Sequence, residues 1–282
     1  MVKISERMNK ISESPTLATS AKVNVMKAQG KDILNLTVGE PDFDTHASTL
    51  NAAVEAIQSN KANHYTPTAG ILPLRQAIVD YHQKYDGVTY AVNQVIVTEG
   101  AKNALFALFQ VILNPGDEVI VPAPYWVSYT EQIKLAGGVN VLVETAPEKG
   151  FKLTVEDLEK HRTEKTVALL LNSPSNPTGM IYTPEELKAI GEWAVEHDVL
   201  IIADEIYYRL TYNGNNAISI ASLSEEIKNQ TIIINGISKT YAMTGWRIGY
   251  AIGNAEIISK MIELSSHSTS NPAGPSQYGA LA

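Results

Sequence analysis

Residues 167–207 read VALLLNSPSNPTGMIYTPEELKAIGEWAVEHDVLIIADEIY, and this stretch decides the fold class. Its two apolar runs, residues 167–171 and 199–203, have the length and composition of buried strands. Between them, Thr183 and Glu186 form a capping-box pattern with Pro184 at the first helical position. Strand, helix and strand in this order predict a βαβ unit with parallel strands.

The same alternation of short apolar runs and helical patterns continues on both sides of this unit. The five further runs are residues 94–97, 118–121, 139–143, 231–234 and 248–252. Together they predict an α/β fold with a mostly parallel seven-stranded sheet and helices on both faces, an α/β/α sandwich. We expect one large domain over residues 46–282, preceded by a separate N-terminal segment, residues 1–45.

Composition excludes several classes of protein. The 282 residues are 44% hydrophobic and 18% charged, which is typical of a globular chain with a sizeable core. A net charge of -8 argues against nucleic acid as a partner. The absence of cysteine removes disulfides, thiolate metal sites and cysteine nucleophiles. No apolar run approaches the roughly 18 residues of a membrane span, so we expect no membrane partner and a cytoplasmic location.

Unusual polar clusters follow the predicted strands directly. They are residues 100–102, 125–126, 172–179, 204–207 and 238–239. Open α/β sheets bind ligands beyond the carboxyl ends of their strands. Five clusters in equivalent positions therefore predict one shared site.

The strand-end lysine lies in residues 231–250, which read TIIINGISKTYAMTGWRIGY. A lysine just past a buried strand loses solvation, so its pKa falls and its neutral amine becomes available to form an imine. Lys239 taken alone is more typical of a surface lysine at a strand end. Arg247, between Gly245 and Gly249, could bind a phosphate held near this lysine.

Two other clusters allow a structural or a functional interpretation. Asp204 follows a buried strand, and a buried carboxylate needs a cationic partner. That partner could be a ligand or a structural ion pair, or the carboxylate could cap a helix. Residues 98–103 join a strand to a helix and could bring backbone N–H groups to a phosphate, or form an ordinary turn.

The 231–250 segment resembles the lysine signature of class I (fold-type I) pyridoxal-phosphate (PLP) aminotransferases, in the form of the bacterial aspartate aminotransferase branch. The resemblance extends over Val-Gly-Glu-Pro at 38–41, Asn-His-Tyr-Thr-Pro at 63–67, the 172–179 loop and residues 265–269. It implies the large domain of the type I PLP-transferase fold, with PLP as cofactor. The activity it implies is transamination between aspartate or glutamate and a 2-oxo acid, through an aldimine at Lys239.

The resemblance also implies a role for each matching residue. Lys239 would hold the cofactor and move a proton, Asp204 would keep the ring nitrogen protonated, and Tyr207 would lie near the ring oxygen. These three residues are the expected catalytic set. Further cofactor contacts are implied for Gly100, Ala101, Lys102, Trp126, Asn176, Ser238 and Arg247.

Substrate and partner contacts follow from the same resemblance. Gly39, Trp126 and Asn176 match substrate-binding positions, and Lys102 matches a residue that reaches a distal carboxylate. Tyr65 matches the tyrosine that contacts the cofactor phosphate of the neighbouring subunit. We therefore expect amino-acid and 2-oxo-acid substrates and a homodimer with shared active sites.

Members of this family continue past the position of residue 282, through the rest of the large domain and a small C-terminal domain. That part supplies the arginine that binds the substrate α-carboxylate. We therefore expect an incomplete large domain, residues 1–45 without the small domain they normally join, and an inactive or nearly inactive 282-residue chain.

Three alternatives stay open: a PLP lyase of the same fold, an aromatic or prephenate-type aminotransferase, and a non-enzymatic binding module. Lys102 and the Tyr125-Trp126 pair favour transamination over a lyase. The sequence contains no dinucleotide or nucleotide phosphate loop. Its six histidines are scattered, so we expect no metal.

Overall fold

All seven predicted strands form in the computed structural model, which describes residues 3–282. They belong to one sheet. The strands are β1 (Val95–Thr98), β2 (Glu118–Ala123), β3 (Val139–Glu144), β4 (Thr166–Asn172), β5 (Leu200–Asp204), β6 (Thr231–Gly236) and β7 (Gly249–Ile252).

The strand order is β1-β7-β6-β5-β4-β2-β3. β7 is antiparallel to both of its neighbours, and the remaining pairs are parallel. The expectation of a mostly parallel seven-stranded sheet is therefore confirmed.

Helices connect and cover the strands. They are α1 (Pro15–Ala28), α2 (Ala47–Gln58), α3 (Leu72–Asp86), α4 (Ala101–Ile112), α5 (Ser128–Leu135), α6 (Val155–His161), α7 (Pro184–Glu196), α8 (Glu225–Asn229), α9 (Ala255–Ser266) and α10 (Gly274–Leu281). Short 3-10 helices lie at Glu6–Lys10, Val92–Gln94, Pro147–Lys149, Ile220–Ser222 and Thr244–Trp246. α7 starts with the predicted capping box, in which the Thr183 hydroxyl accepts from the Glu186 N–H at 3.2 Å and the Glu186 carboxylate accepts from the Thr183 N–H at 2.7 Å.

Both faces of the sheet are buried under helices. Leu170 of β4 packs in one cluster with Phe109 of α4, whereas Leu169 packs on the opposite face with Leu187 of α7. Successive residues of a strand point to opposite faces, so a continuous apolar run suits a sheet covered on both sides. Each fully buried leucine contributes about 1.5–3 kcal/mol through the hydrophobic effect. The α/β/α sandwich is thus confirmed.

The strand directions place the carboxyl ends of the parallel strands at one edge of the sheet. Asn172 is paired with Asp204 at the carboxyl ends of β4 and β5. Because β7 runs the other way, its first residue, Gly249, pairs with Gly236 at the end of β6 and with Thr98 at the end of β1. Residues that precede β7 therefore lie at the same edge as residues that follow the parallel strands.

The N-terminal part is packed less completely. Residues 32–36 form no strand, and Leu34 and Leu36 are 94% and 92% exposed. Residues 37–45 nevertheless reach the sheet edge, where the Thr45 hydroxyl donates to the carbonyl of Ala242 at 3.0 Å. The boundary between residues 45 and 46 stays a prediction. Within residues 3–282, no helix is long and apolar enough to cross a bilayer.

Candidate active site

A cavity of about 510 Å³ opens at the carboxyl edge of the sheet. Ten of the twelve site residues expected from the sequence line it; Gly100 and Tyr65 do not. The ten are Gly39, Ala101, Lys102, Trp126, Asn176, Asp204, Tyr207, Ser238, Lys239 and Arg247. The five strand-end clusters thus meet in one place.

Asp204 forms the buried floor of this cavity and is 4% exposed. Its Oδ2 accepts from the Tyr129 hydroxyl at 2.6 Å, and its Oδ1 accepts from the Ile206 N–H at 3.2 Å. Burial raises the pKa of this carboxyl to about 6, while these two hydrogen bonds lower it. Among the ion pairs within residues 3–282, none includes Asp204. Asp204 therefore has no cationic partner among these ion pairs, although an ionised carboxylate is costly to bury without one.

The loop after β4 is fixed to the end of β5 by Asn172. Its side-chain amide donates to the carbonyl of Asp204 at 2.8 Å, and its Oδ1 accepts from the Asn176 N–H at 2.7 Å. The Asn176 amide in turn donates to the Tyr207 hydroxyl at 3.2 Å. Two polar groups from different strands are thus held side by side at the cavity wall. Burial, more than any neighbouring charge, raises the pKa of the Tyr207 phenol.

Lys239 projects from the loop after β6 and is half-buried. Its Nζ donates to the carbonyl of Gly39 at 2.6 Å and lies 5.8 Å from the centroid of the Tyr207 ring. Burial lowers the pKa of this amine; Glu40 raises it and Arg247 lowers it further. A lysine in these surroundings keeps a larger neutral fraction than one in water, as a nucleophilic amine requires.

The opposite end of the cavity is built to receive an anion. α4 begins there after Gly100, with no side chain capping its free N–H groups. A Cβ at Gly100 would overlap the Arg247 guanidinium, so only glycine lets the helix start approach this arginine. The guanidinium donates to the carbonyl of Thr244 at 2.8 Å. A helix N-terminus beside a guanidinium suits a phosphate group.

Lys102 and Trp126 lie on the remaining wall. The Lys102 Nζ is 4.7 Å from the centroid of the Trp126 ring, which is edge-on to Tyr129 at 5.3 Å. The pKa of Lys102 is lowered by burial and then by Arg247. This lysine therefore carries a partly desolvated positive charge at the lip of the cavity.

The family profile of "Aminotransferase class I and II" matches residues 31–282.

The chain belongs to this aminotransferase family.

Several aminotransferases resemble the chain over its whole length. It is 52% identical to the aspartate aminotransferase of Bacillus sp. (strain YM-2) over 278 residues, 99% of this chain and 71% of that protein. It is 50% identical to an asparagine–oxo-acid transaminase of Streptococcus mutans over 281 residues, 100% of this chain and 72% of that protein. The structure of Thermus thermophilus aspartate aminotransferase with maleate superposes with a TM-score of 0.96 at 45% identity, covering 100% of this chain and 72% of that one.

As an aminotransferase of this family, the protein uses PLP to transfer an amino group between an amino acid and a 2-oxo acid. The cavity fits that cofactor. An unpaired buried carboxyl lies on its floor, a helix N-terminus and a guanidinium lie at its anion end, and an amine of lowered pKa lies on its wall. A volume of about 510 Å³ is typical of pockets for ligands of this size.

Two polar residues beside Asp204 had no predicted role, although Asn172 lies within the predicted 172–179 cluster. Tyr129 contacts Asp204 directly, and Asn172 connects Asp204 to Asn176. The available signal for Tyr129 was its position in the first turn of α5, three residues after Trp126 of the predicted 125–126 cluster. Thr16 and Thr37 also line the cavity, and no sequence pattern indicated that the N-terminal segment contributes side chains there.

Tyr65 is the predicted residue that lies apart from the others. Its side chain is 91% exposed and is not part of the cavity lining. Gly100 lies just behind the lining, against Arg247.

Proposed function

We propose that Lys239 is the amine that binds PLP and moves the proton during transamination. The observation that carries this proposal is its position: a half-buried amine of lowered pKa in the same cavity as Asp204 and Arg247. PLP supplies an electron sink to the reaction when it is bound. Lys239 supplies a neutral nitrogen at the cavity wall, which can accept a proton and return it.

We assign Asp204 to the cofactor ring nitrogen. A positive charge on that nitrogen would complete a buried ion pair, and the ionised form of the carboxylate would then be favoured. The Tyr129 hydroxyl orients the carboxylate through its 2.6 Å hydrogen bond. Asn176 and Tyr207, joined at 3.2 Å, would donate toward the ring oxygen.

The remaining contacts divide between phosphate and substrate. The N–H groups at the start of α4, from Ala101 and Lys102 behind the Gly100 cap, would bind the phosphate together with Ser238 and Arg247. Trp126 would lie against the cofactor ring, and Gly39 and Asn176 would meet the substrate carboxylate. These roles are supported by the common cavity and by the free N-terminus of α4.

Reduction with borohydride tests the assignment of Lys239. The purified protein, incubated with PLP, should show an imine absorbance that borohydride abolishes, and peptide mapping should find the pyridoxyl group on Lys239. An exposed lysine, Lys188, serves as the internal comparison. Labelling at Lys188 or Lys102 instead of Lys239 would contradict the proposal.

We further propose that the substrate is an acidic amino acid, aspartate or glutamate, bound through Lys102. The support is the partly desolvated amine of Lys102 at the lip of the cavity. An ion pair with a distal carboxylate in such surroundings contributes about 1–3 kcal/mol, a preference of roughly tenfold to a hundredfold. One relative is named for asparagine, which has the same shape as aspartate without its charge.

The comparison of aspartate with asparagine isolates this charge. In the full-length protein, the kcat/KM ratio for the two substrates should favour aspartate, and Lys102→Ala should remove most of that preference while leaving asparagine turnover nearly unchanged. Lys102→Arg keeps the charge and should keep part of the preference. If the ratio is the same in all three proteins, Lys102 does not select the substrate.

We also propose a homodimer in which Tyr65 of each subunit completes the other subunit's site. The support is the exposure of Tyr65 and of an apolar stripe on α2, formed by Leu50, Val54 and Ile57. Exposed apolar stripes of this kind mark interaction surfaces. We propose separately that residues 1–45 and 46–282 are distinct units. The exposure of Leu34 and Leu36 supports this division, because these side chains do not pack on the large domain. A cytoplasmic location is a further proposal.

A further inference from the structure

Gln277, on α10, is a fully buried polar side chain outside the active-site cavity. It is 0% exposed, and each of its hydrogen-bonding atoms has a partner. Its Oε1 accepts from the Ile71 N–H at 2.8 Å. Its Nε2 donates to the Thr66 hydroxyl at 3.0 Å and to the carbonyl of Pro272 at 2.7 Å. One side chain thus ties both ends of residues 66–71 to the helix.

The segment that Gln277 holds is otherwise fixed by its backbone. The Gly70 N–H donates to the carbonyl of Pro67 at 2.8 Å, and the carbonyl of Ala69 accepts from the Val97 N–H at 3.0 Å. Gly70 has a φ of 94°, which favours glycine, and a Cβ there would collide with Val97. Residues 69–71 are buried, and the hydrogen bond from Val97 packs this loop against β1.

The chain on the other side of Tyr65 is fixed as well. Gly274, at the start of α10, packs so closely on Ala62 that a Cβ would overlap its carbonyl. The Asn63 amide donates to the carbonyl of Ile57 at 3.0 Å, at the end of α2. Tyr65 therefore projects from a short bridge, residues 64–65, between two fixed points, and its side chain is 91% exposed.

We propose that Gln277 is a positioning residue that holds Tyr65 in place for the neighbouring subunit's cofactor phosphate. This inference rests on the homodimer proposed above. A phenol that must donate to an anion across an interface needs its backbone fixed before the subunits meet. Thr66 is the residue next to Tyr65, and its hydroxyl is bound directly by Gln277. Loss of the Gln277–Thr66 hydrogen bond should loosen the bridge that carries Tyr65 while leaving the cavity of the same chain unchanged.

The first test is the dissociation constant of PLP in four variants of the purified protein. Tyr65→Phe should raise it about tenfold, the effect of one hydrogen bond to a charged group. Gln277→Leu should raise it by a similar factor, and the double variant should be no weaker than either single one. Thr66→Val removes only the hydroxyl partner, so it tests the same bond if Gln277→Leu folds poorly. Unchanged affinity in folded Thr66→Val and Gln277→Leu proteins would overturn the proposal.

Hybrid dimers separate an effect on the neighbouring subunit from an effect within one subunit. In the first hybrid, one subunit carries Gln277→Leu and its partner carries Lys239→Ala. The single intact lysine site then receives Tyr65 from a subunit with normal Gln277, and its affinity for PLP should be that of the wild type. In the matched hybrid, both changes are on one subunit beside a wild-type partner, and affinity should be about tenfold weaker.

The opposite pattern would assign Gln277 to the site of its own chain and refute the proposal. Failure of the proposed function looks different from either result. In that case borohydride would not trap PLP on Lys239 even in the wild-type protein, or Tyr65→Phe would leave the affinity unchanged in a protein that does trap it.

Discussion

Asp204 and Tyr65 match the same set of cofactor contacts, yet they lie in opposite surroundings. Asp204 ends a central strand, is 4% exposed and is held by Tyr129 and the Ile206 N–H. Tyr65 projects from a bridge at the surface and is 91% exposed. The residues that follow the strands line one cavity within a single chain, because parallel strands end at the same edge of the sheet. Under the proposed homodimer, Tyr65 would instead be completed by a second subunit, whereas Gly39 of the N-terminal segment lines the cavity of its own chain.

The largest effect is expected at Lys239, in the loop after β6. In the full-length protein, Lys239→Ala should lower turnover at least about a thousandfold, because it removes the residue proposed both to bind the cofactor and to move the proton. Steady-state assays with aspartate and 2-oxoglutarate measure this loss. Lys188→Ala, on the exposed face of α7, is the matched control and should behave as the wild type. Appreciable turnover in Lys239→Ala would show that another group binds the cofactor and moves the proton.

A smaller loss is expected at the floor of the cavity. Asp204→Asn keeps the shape and the hydrogen bond from Ile206, but it cannot balance a positive charge on the ring nitrogen. Removing one partner of a buried ion pair costs about 3–5 kcal/mol, so turnover should fall by roughly two to three orders of magnitude. PLP should still bind, as its absorbance will report. Near-normal turnover would mean that the carboxyl group is structural.

The same carboxyl group should make the cofactor-free protein sensitive to pH. Burial raises its pKa from 3.8 to about 6, so the folded state binds more protons than the unfolded state between these values. Stability conferred by protonated Asp204 is therefore lost as the pH rises from about 4 to 7, by about 3 kcal/mol in all. Urea unfolding of wild type and Asp204→Asn should diverge by this amount over that interval. A constant difference between the two would show that Asp204 is already ionised in the cofactor-free fold.

The smallest effect is expected in the N-terminal segment. Leu36→Ala should change the free energy of unfolding by less than about 0.5 kcal/mol, since the side chain is 92% exposed. The matched substitution in the sheet, Leu170→Ala, should cost about 2–5 kcal/mol, because that leucine is 1% exposed and would leave a cavity. Denaturant unfolding of the two variants measures both values. Equal losses would mean that the segment is packed as firmly as the sheet.

The strands were predictable because their signal is local. An apolar run such as residues 167–171 is typical of a strand buried on both faces, and Pro184 with a capping box is typical of a helix start. The site was predictable for a related reason: polar residues directly after strands must meet at one edge once the strands are parallel. Arg247 is the instructive exception, since it precedes a strand and reaches the same edge because β7 alone in this sheet runs backwards.

The seven strands, their buried faces and the strand-end residues could be predicted from the sequence, since each depends on neighbours within a few positions. Tertiary structure alone decided which residues support them. Tyr129 and Asp204 are 75 residues apart, and Gln277 is more than 200 residues from Thr66 and Ile71. No periodicity or spacing connects such pairs, because their hydrogen bonds form only after the helices pack on the sheet and the burial of each polar group requires a partner.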